Sequence, residues 1–86
     1  MKGGSTLSKS KDELLKRISI NPAVSFGKPC IRGTRIWVSL IMDNLAAGLS
    51  EQELLSAYPT LKRDDILAAI AYAAELARDR YVSVGM

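Results

Sequence analysis

The sequence predicts a mainly α fold: a tri-helical helix-turn-helix layout preceded by a short N-terminal helix and a small two-stranded β ribbon. Three observations carry this. Two Ser-x-x-Glu capping boxes, Ser10 to Glu13 and Ser50 to Glu53, mark helix starts. Apolar residues recur at helical spacing from Val38 onward, and Gly48 followed by Leu49 has the pattern of a helix stop. The turn residues Asn21, Pro22, Gly27, Pro29 and Gly33 all precede Ile36, which confines extended structure to that part of the chain.

Taken in order, residues 1–10 read as a flexible polar tail that ends at the first capping box. A short helix over about 11–17 follows, with Leu14 and Leu15 on its apolar side. Ile18-Ser19-Ile20 alternates as a half-buried strand does, and Asn21-Pro22 stops it. Thr34-Arg35-Ile36-Trp37 has the β-branched and aromatic content of a second strand. The ribbon is then either 18–20 against 34–37 or a tight hairpin turning at Gly33-Thr34. Two strands alone are marginal, so the ribbon must lie on helices or pair with another chain. The tri-helical unit starts near Trp37 with a helix of about ten residues that ends at Gly48. A short helix opened by Ser50 stops before Pro59, and a third helix covers about 63–80. Residues 11–80 form one domain, and 81–86 are a C-terminal tail.

Composition removes most chemistry. The chain has 86 residues, no histidine and one cysteine, Cys30. Ser-His-Asp and Cys-His arrangements, His-containing zinc sites and thiolate clusters are all excluded. Gly27-Lys28 runs into Pro29 without the upstream glycine of a phosphate-binding P-loop. The expectation is a protein that is not an enzyme and needs no cofactor. The apolar stretches are shorter than the ~20 residues of a membrane span, and Met1 to Lys11 lacks the apolar core of a secretory signal. A lone cysteine fits a reducing, cytoplasmic setting, where Cys30 serves as a small packing residue.

The net charge of +3 is divided unevenly. Residues 1–36 carry eight basic against two acidic side chains, +6, and residues 37–86 carry four against seven, −3. Within the basic part, Lys28, Arg32 and Arg35 sit among Gly27, Pro29 and Gly33. Glycine permits close backbone approach, proline stiffens, and arginine offers a fork to phosphate or carboxylate. An anion contact and a well-made turn with merely exposed cations are both open readings. Trp37 follows directly and reads as a core or interface anchor rather than a base-stacking platform, since it lacks aromatic companions in the sequence.

The third helix argues against simple base reading. Between Ile66 and Ala77 its only charge is Glu75. Ile66, Ile70, Ala73 and Ala77 make one apolar row, Leu67 and Ala74 lie beside it, and Ala69, Tyr72 and Leu76 add another. A helix apolar on most sides is buried on most sides. A chain this short has little other protein to cover it. An alanine-rich core helix is the alternative; a protein interface, in a homodimer or with a different protein, is the favoured reading. Lys62 and Arg63 open the helix beside Asp64 and Asp65, and the two pairs largely cancel toward phosphate.

The run Asn21-Pro22 to Gly27-Lys28-Pro29-Cys30-Ile31-Arg32-Gly33-Thr34-Arg35-Ile36, then Leu45-Ala46-Ala47-Gly48-Leu49-Ser50, then Tyr58-Pro59 and Ala68 to Ala74, resembles the domain-of-unknown-function family numbered four-three-three. The resemblance covers about Leu14 to Leu76. It implies a homeodomain-like helix-turn-helix fold and an antitoxin-like role of the VapB type: a homodimer that binds a PIN-like ribonuclease toxin and contacts operator DNA. In that role Lys28, Arg32 and Arg35 would meet phosphates, with Lys62 and Arg63 assisting. Phe26 stands where a second glycine is common, Trp37 where proline is, Lys62 where a threonine caps the third helix, and Leu67 where an arginine is frequent. The last two remove a cap and a cation from the helix expected to read DNA. A protein-interaction module without DNA binding is the alternative.

Overall fold

The computed structural model describes residues 10–79. The tails expected over 1–10 and 81–86 lie outside them, apart from Ser10. Ser10 caps α1 (Lys11–Leu15) as its sequence requires: its hydroxyl accepts from the Glu13 N–H at 3.2 Å, and the Glu13 carboxylate accepts from the Ser10 N–H at 3.3 Å. The helix closes two residues earlier than the expected Arg17. The Arg17 N–H bonds the Leu14 carbonyl at 2.9 Å in a tight last turn, and the chain enters β1 (Ile18–Ser19) at once.

The ribbon differs from the 18–20 with 34–37 pairing. β1 pairs antiparallel with β2 (Cys30–Ile31), Ile18 opposite Ile31 and Ser19 opposite Cys30. Thr34 explains why 34–37 is not the second strand. Its hydroxyl donates to the Ile31 carbonyl at 2.7 Å and accepts from the Ile36 N–H at 3.0 Å, which folds the segment into a turn. Gly33, at φ +82°, supplies the left-handed residue this turn needs. A hairpin turn at Gly33-Thr34 is therefore present, but its far arm meets the near one only as a Cys30–Trp37 bridge.

The three following helices appear in the expected order and close to the expected lengths: α2 (Val38–Ala46), α3 (Glu51–Ala57) and α4 (Arg63–Asp79). α2 ends in a Schellman motif, with the Gly48 N–H on the Leu45 carbonyl and the Leu49 N–H on the Asn44 carbonyl, both at 3.0 Å. The second capping box is complete at Ser50 and Glu53. Hydrogen bonds from the Ser50 N–H and hydroxyl hold the Glu53 carboxyl below its ordinary value. No helix among the described residues is long and apolar enough to cross a membrane.

The core joins all of these elements. Ile18 and Ile31 come from the ribbon, Val38 and Ile41 from α2, Leu54 from α3, Leu61 from the turn, and Ile66, Ala68 and Ala69 from α4. The most extensive helix–helix contact is that of α1 with α4. Lys11 pairs with Glu75 toward one end of α4, and Arg17 pairs with Asp64 and Asp65 at the other, so α1 lies antiparallel along it. Asp65 is the buried charge among the described residues, at 5% exposure. Its Oδ1 accepts from Arg17 Nη1 at 3.0 Å and its Oδ2 from the Lys62 N–H at 2.9 Å. The second bond is the reach-back half of a capping box, made by Asp65 in place of glutamate. Arg17 Nη2 meets Asp64 at 3.4 Å.

Removing Arg17 leaves a buried carboxylate with only the Lys62 N–H and a weakened α1–α4 contact. Arg17→Ala is expected to cost about 1–3 kcal/mol, seen as a lower urea midpoint at unchanged slope. Arg63→Ala removes an exposed pair with Glu51 at 3.1 Å and should change stability by less than ~0.5 kcal/mol. Equal effects from the two variants would contradict a special role for Arg17.

Candidate functional site

The three ribbon cations that the sequence groups together have different surroundings. Arg32 is committed to the fold. Its Nε donates to the Lys16 carbonyl at 2.8 Å and its Nη2 to the Ile18 carbonyl at 2.9 Å, while its backbone N–H bonds the Arg17 carbonyl at 2.7 Å. The guanidinium thereby satisfies carbonyls that the end of α1 leaves open. It lines a cleft with Glu13, Lys16, Arg17 and Asp65, apart from the other two. Lys28 places its Nζ 4.8 Å from the centre of the Trp37 ring, a cation–π contact. Arg35 makes no hydrogen bond or ion pair among the described residues, and it lines two neighbouring clefts, one of which it shares with Lys28. Lys62 and Arg63 lie at the start of α4 and line neither cleft.

Beside Arg35 the backbone is strained. Ser25, Phe26 and Gly27 follow one another in the left-handed region, with φ of +51°, +58° and +81°. Glycine adopts this freely, whereas a residue with a Cβ does so at a cost of roughly 1 kcal/mol. The 3₁₀ turn at Ser25–Gly27 leaves Phe26 94% exposed, so its ring buries almost nothing in return. Trp37, at 37% exposure, lines the same open cleft with Phe26, Arg35, Pro22, Ala23 and Ser25. The aromatic companion that Trp37 lacks in the sequence is thus supplied from eleven positions upstream. An aromatic side chain between Ser25 and Gly27 was the available signal.

The proposed protein face on α4 is divided by the fold. Ile66 is 1% exposed within the chain's own core, so it is a core residue and not an interface residue. Asp65, Ala68 and Ala69 are buried with it. Leu67, Tyr72 and Ala73 are half-buried, Ala74 and Ala77 are exposed, and Ile70 is 42% exposed. Tyr72, Ala73 and Leu76 line a mostly apolar groove with Val38 and Met42 of α2. Val38, Met42 and Leu76 belong to this groove; the sequence places them in apolar helical rows without assigning them to the interface. Leu76 is 44% exposed, three residues before the helix end at Asp79.

Residues 18–73 match the family described as a protein of unknown function, DUF433. The chain belongs to the DUF433 family. A crystal structure of a DUF433 member from Anabaena variabilis is 28% identical and superposes with a TM-score of 0.68, covering 92% of this chain and 93% of that one. The uncharacterized protein y4eO of Sinorhizobium fredii is 36% identical over 56 residues, 65% of this chain but only 25% of that protein. The matched DUF433 region contains the ribbon, the strained turn and the buried half of α4. It ends before Leu76, so the far end of the groove lies outside it.

Arg32→Ala, which loses two charge-assisted bonds to backbone, is expected to lower stability by about 1–3 kcal/mol, while Arg35→Ala stays within ~0.5 kcal/mol, both by urea titration. Phe26→Gly relieves a left-handed backbone and removes a ring that packs on nothing. After the larger unfolded-state entropy of glycine, a net gain of up to about 0.5 kcal/mol is expected, or a melting point higher by up to roughly 4 °C. A fall in melting point would mean that the ring supports the fold.

Proposed function

We propose that this DUF433 protein is a small regulatory module of the antitoxin type that works by binding. It has two working surfaces: an apolar groove for a protein partner, first of all a second copy, and a basic ribbon for nucleic acid. The observation that carries this reading is the groove between α2 and α4. An exposed Leu76 beside Tyr72, Ala73, Val38 and Met42 leaves apolar surface that a second chain would take out of water. The small side chain of Ala73 permits close helix approach there. The PIN-like ribonuclease as toxin partner, and operator DNA as the nucleic acid, follow from the family resemblance.

The ribbon supports the nucleic-acid half. Lys28 and Arg35 share a cleft, and Arg35 is unpaired among the described residues. The start of α4, where a recognition helix would meet base edges, supports the alternative of a protein-interaction module without DNA binding. There α1 lies along the helix, and Asp64 and Asp65 face Arg17 rather than an open groove. If DNA is bound, the ribbon and not α4 makes the contact.

Light scattering on the purified chain is expected to give the mass of a dimer, and Leu76→Glu that of a folded monomer. Co-expression with a genomically adjacent PIN-like ribonuclease should yield a complex. A wild-type monomer that also fails to hold such a partner would defeat the proposal.

A further inference from the structure

The cleft that contains Phe26 and Trp37 has the components of a stacking site. Two aromatic side chains line it, one of them 94% exposed on a backbone that strains to hold it there. Its volume of about 450 Å³ falls within the ~300–1,000 Å³ of small-ligand sites. Lys28 over the Trp37 ring fixes the indole from one side. Arg35 lines this cleft and also the adjoining one, where Ser19, Asn21 and Lys28 add polar and cationic groups. An occupant of both clefts must offer a flat apolar face with negative charge next to it.

A nucleotide in a single strand offers both. Its base supplies the flat face, its phosphate the charge, and the next phosphate repeats the charge one unit further on. A duplex keeps its base faces stacked on one another and has none to spare for Phe26. An acidic peptide brings charge without a flat π face beside it. We infer that this cleft binds an unpaired nucleotide of a single-stranded nucleic acid. The base lies against Phe26 and Trp37, its phosphate on Arg35, and the neighbouring phosphate on Lys28. This rests on the reading of the ribbon as a nucleic-acid surface and narrows it from duplex to unpaired strand.

The test uses the full chain with three fluorescein-labelled probes: a short oligothymidylate, a duplex of equal length and an oligoglutamate peptide. Trp37 is the only tryptophan, so its own emission reports on the cleft. Oligothymidylate is expected to quench Trp37 and to bind more tightly than the duplex. Phe26→Gly should weaken single-strand binding about tenfold, the size of one lost base stack, with no loss of melting temperature. Arg35→Ala should reduce the salt slope by about 0.7. Duplex binding equal to single-strand binding, with Trp37 emission and Phe26→Gly both without effect, overturns this inference and leaves the duplex reading standing. Absence of any nucleic-acid binding at ~50 mM salt overturns both. Oligoglutamate binding that depends on Phe26 would transfer the cleft to a protein partner and overturn the nucleotide assignment.

Discussion

The structure depends on how the corner between α1 and β1 is held. Residues 16–18 leave carbonyls open where the helix stops and the strand starts, and two arginines secure this corner from opposite sides. Arg32 reaches in from the far end of the ribbon to the carbonyls of Lys16 and Ile18. Arg17 reaches out to Asp64 and Asp65 at the start of α4. A two-stranded ribbon of two residues per strand has little stability of its own. Tied to α1 by Arg32 and to α4 through Arg17, it becomes part of the helical core, with Ile18 and Ile31 buried in it.

That arrangement decides what the charges are free to do. The first 36 residues are strongly basic in sequence, which suggests a broad attraction to anions. The fold uses much of it internally: Arg17 and Arg32 are structural, and Lys11 pairs with Glu75. Lys28 and Arg35 then stand together beside one cleft. The acidic start of α4, which looks unsuited to a phosphate surface, is likewise explained. Asp65 caps its own helix with one carboxylate oxygen and anchors Arg17 with the other.

The helices were legible because their signals are local. Capping boxes, a glycine stop and a 3.6-residue apolar period act within a few residues and survive any tertiary context. The apolar character of α4 was also legible, but not its division. Ile66 and Leu76 look equivalent in sequence, yet the fold buries Ile66 in the shared core at 1% exposure and leaves Leu76 at 44%. The ribbon was half legible. Thr34 belongs to the β-branched class that favours strands, yet its hydroxyl found two backbone partners and made a turn, a competition that composition cannot resolve. Arg32 and Arg35 have the same chemistry three residues apart, and only the carbonyls of a helix end fourteen and sixteen positions upstream tell them apart.

Phe26 is the place where local and global requirements disagree, and such disagreements point to function when the fold gains nothing from them. The backbone at Ser25–Gly27 asks for glycine at each step, and the chain supplies it only at the last. Were the phenyl ring packed, its burial would offset the left-handed backbone; at 94% exposure it does not. Trp37, which lines the same cleft, is itself partly exposed and carries Lys28 over its ring. An exposed aromatic on a strained turn, next to an arginine unpaired among the described residues, therefore contributes nothing to folding that glycine would not contribute better. Its contribution lies in what fills the cleft.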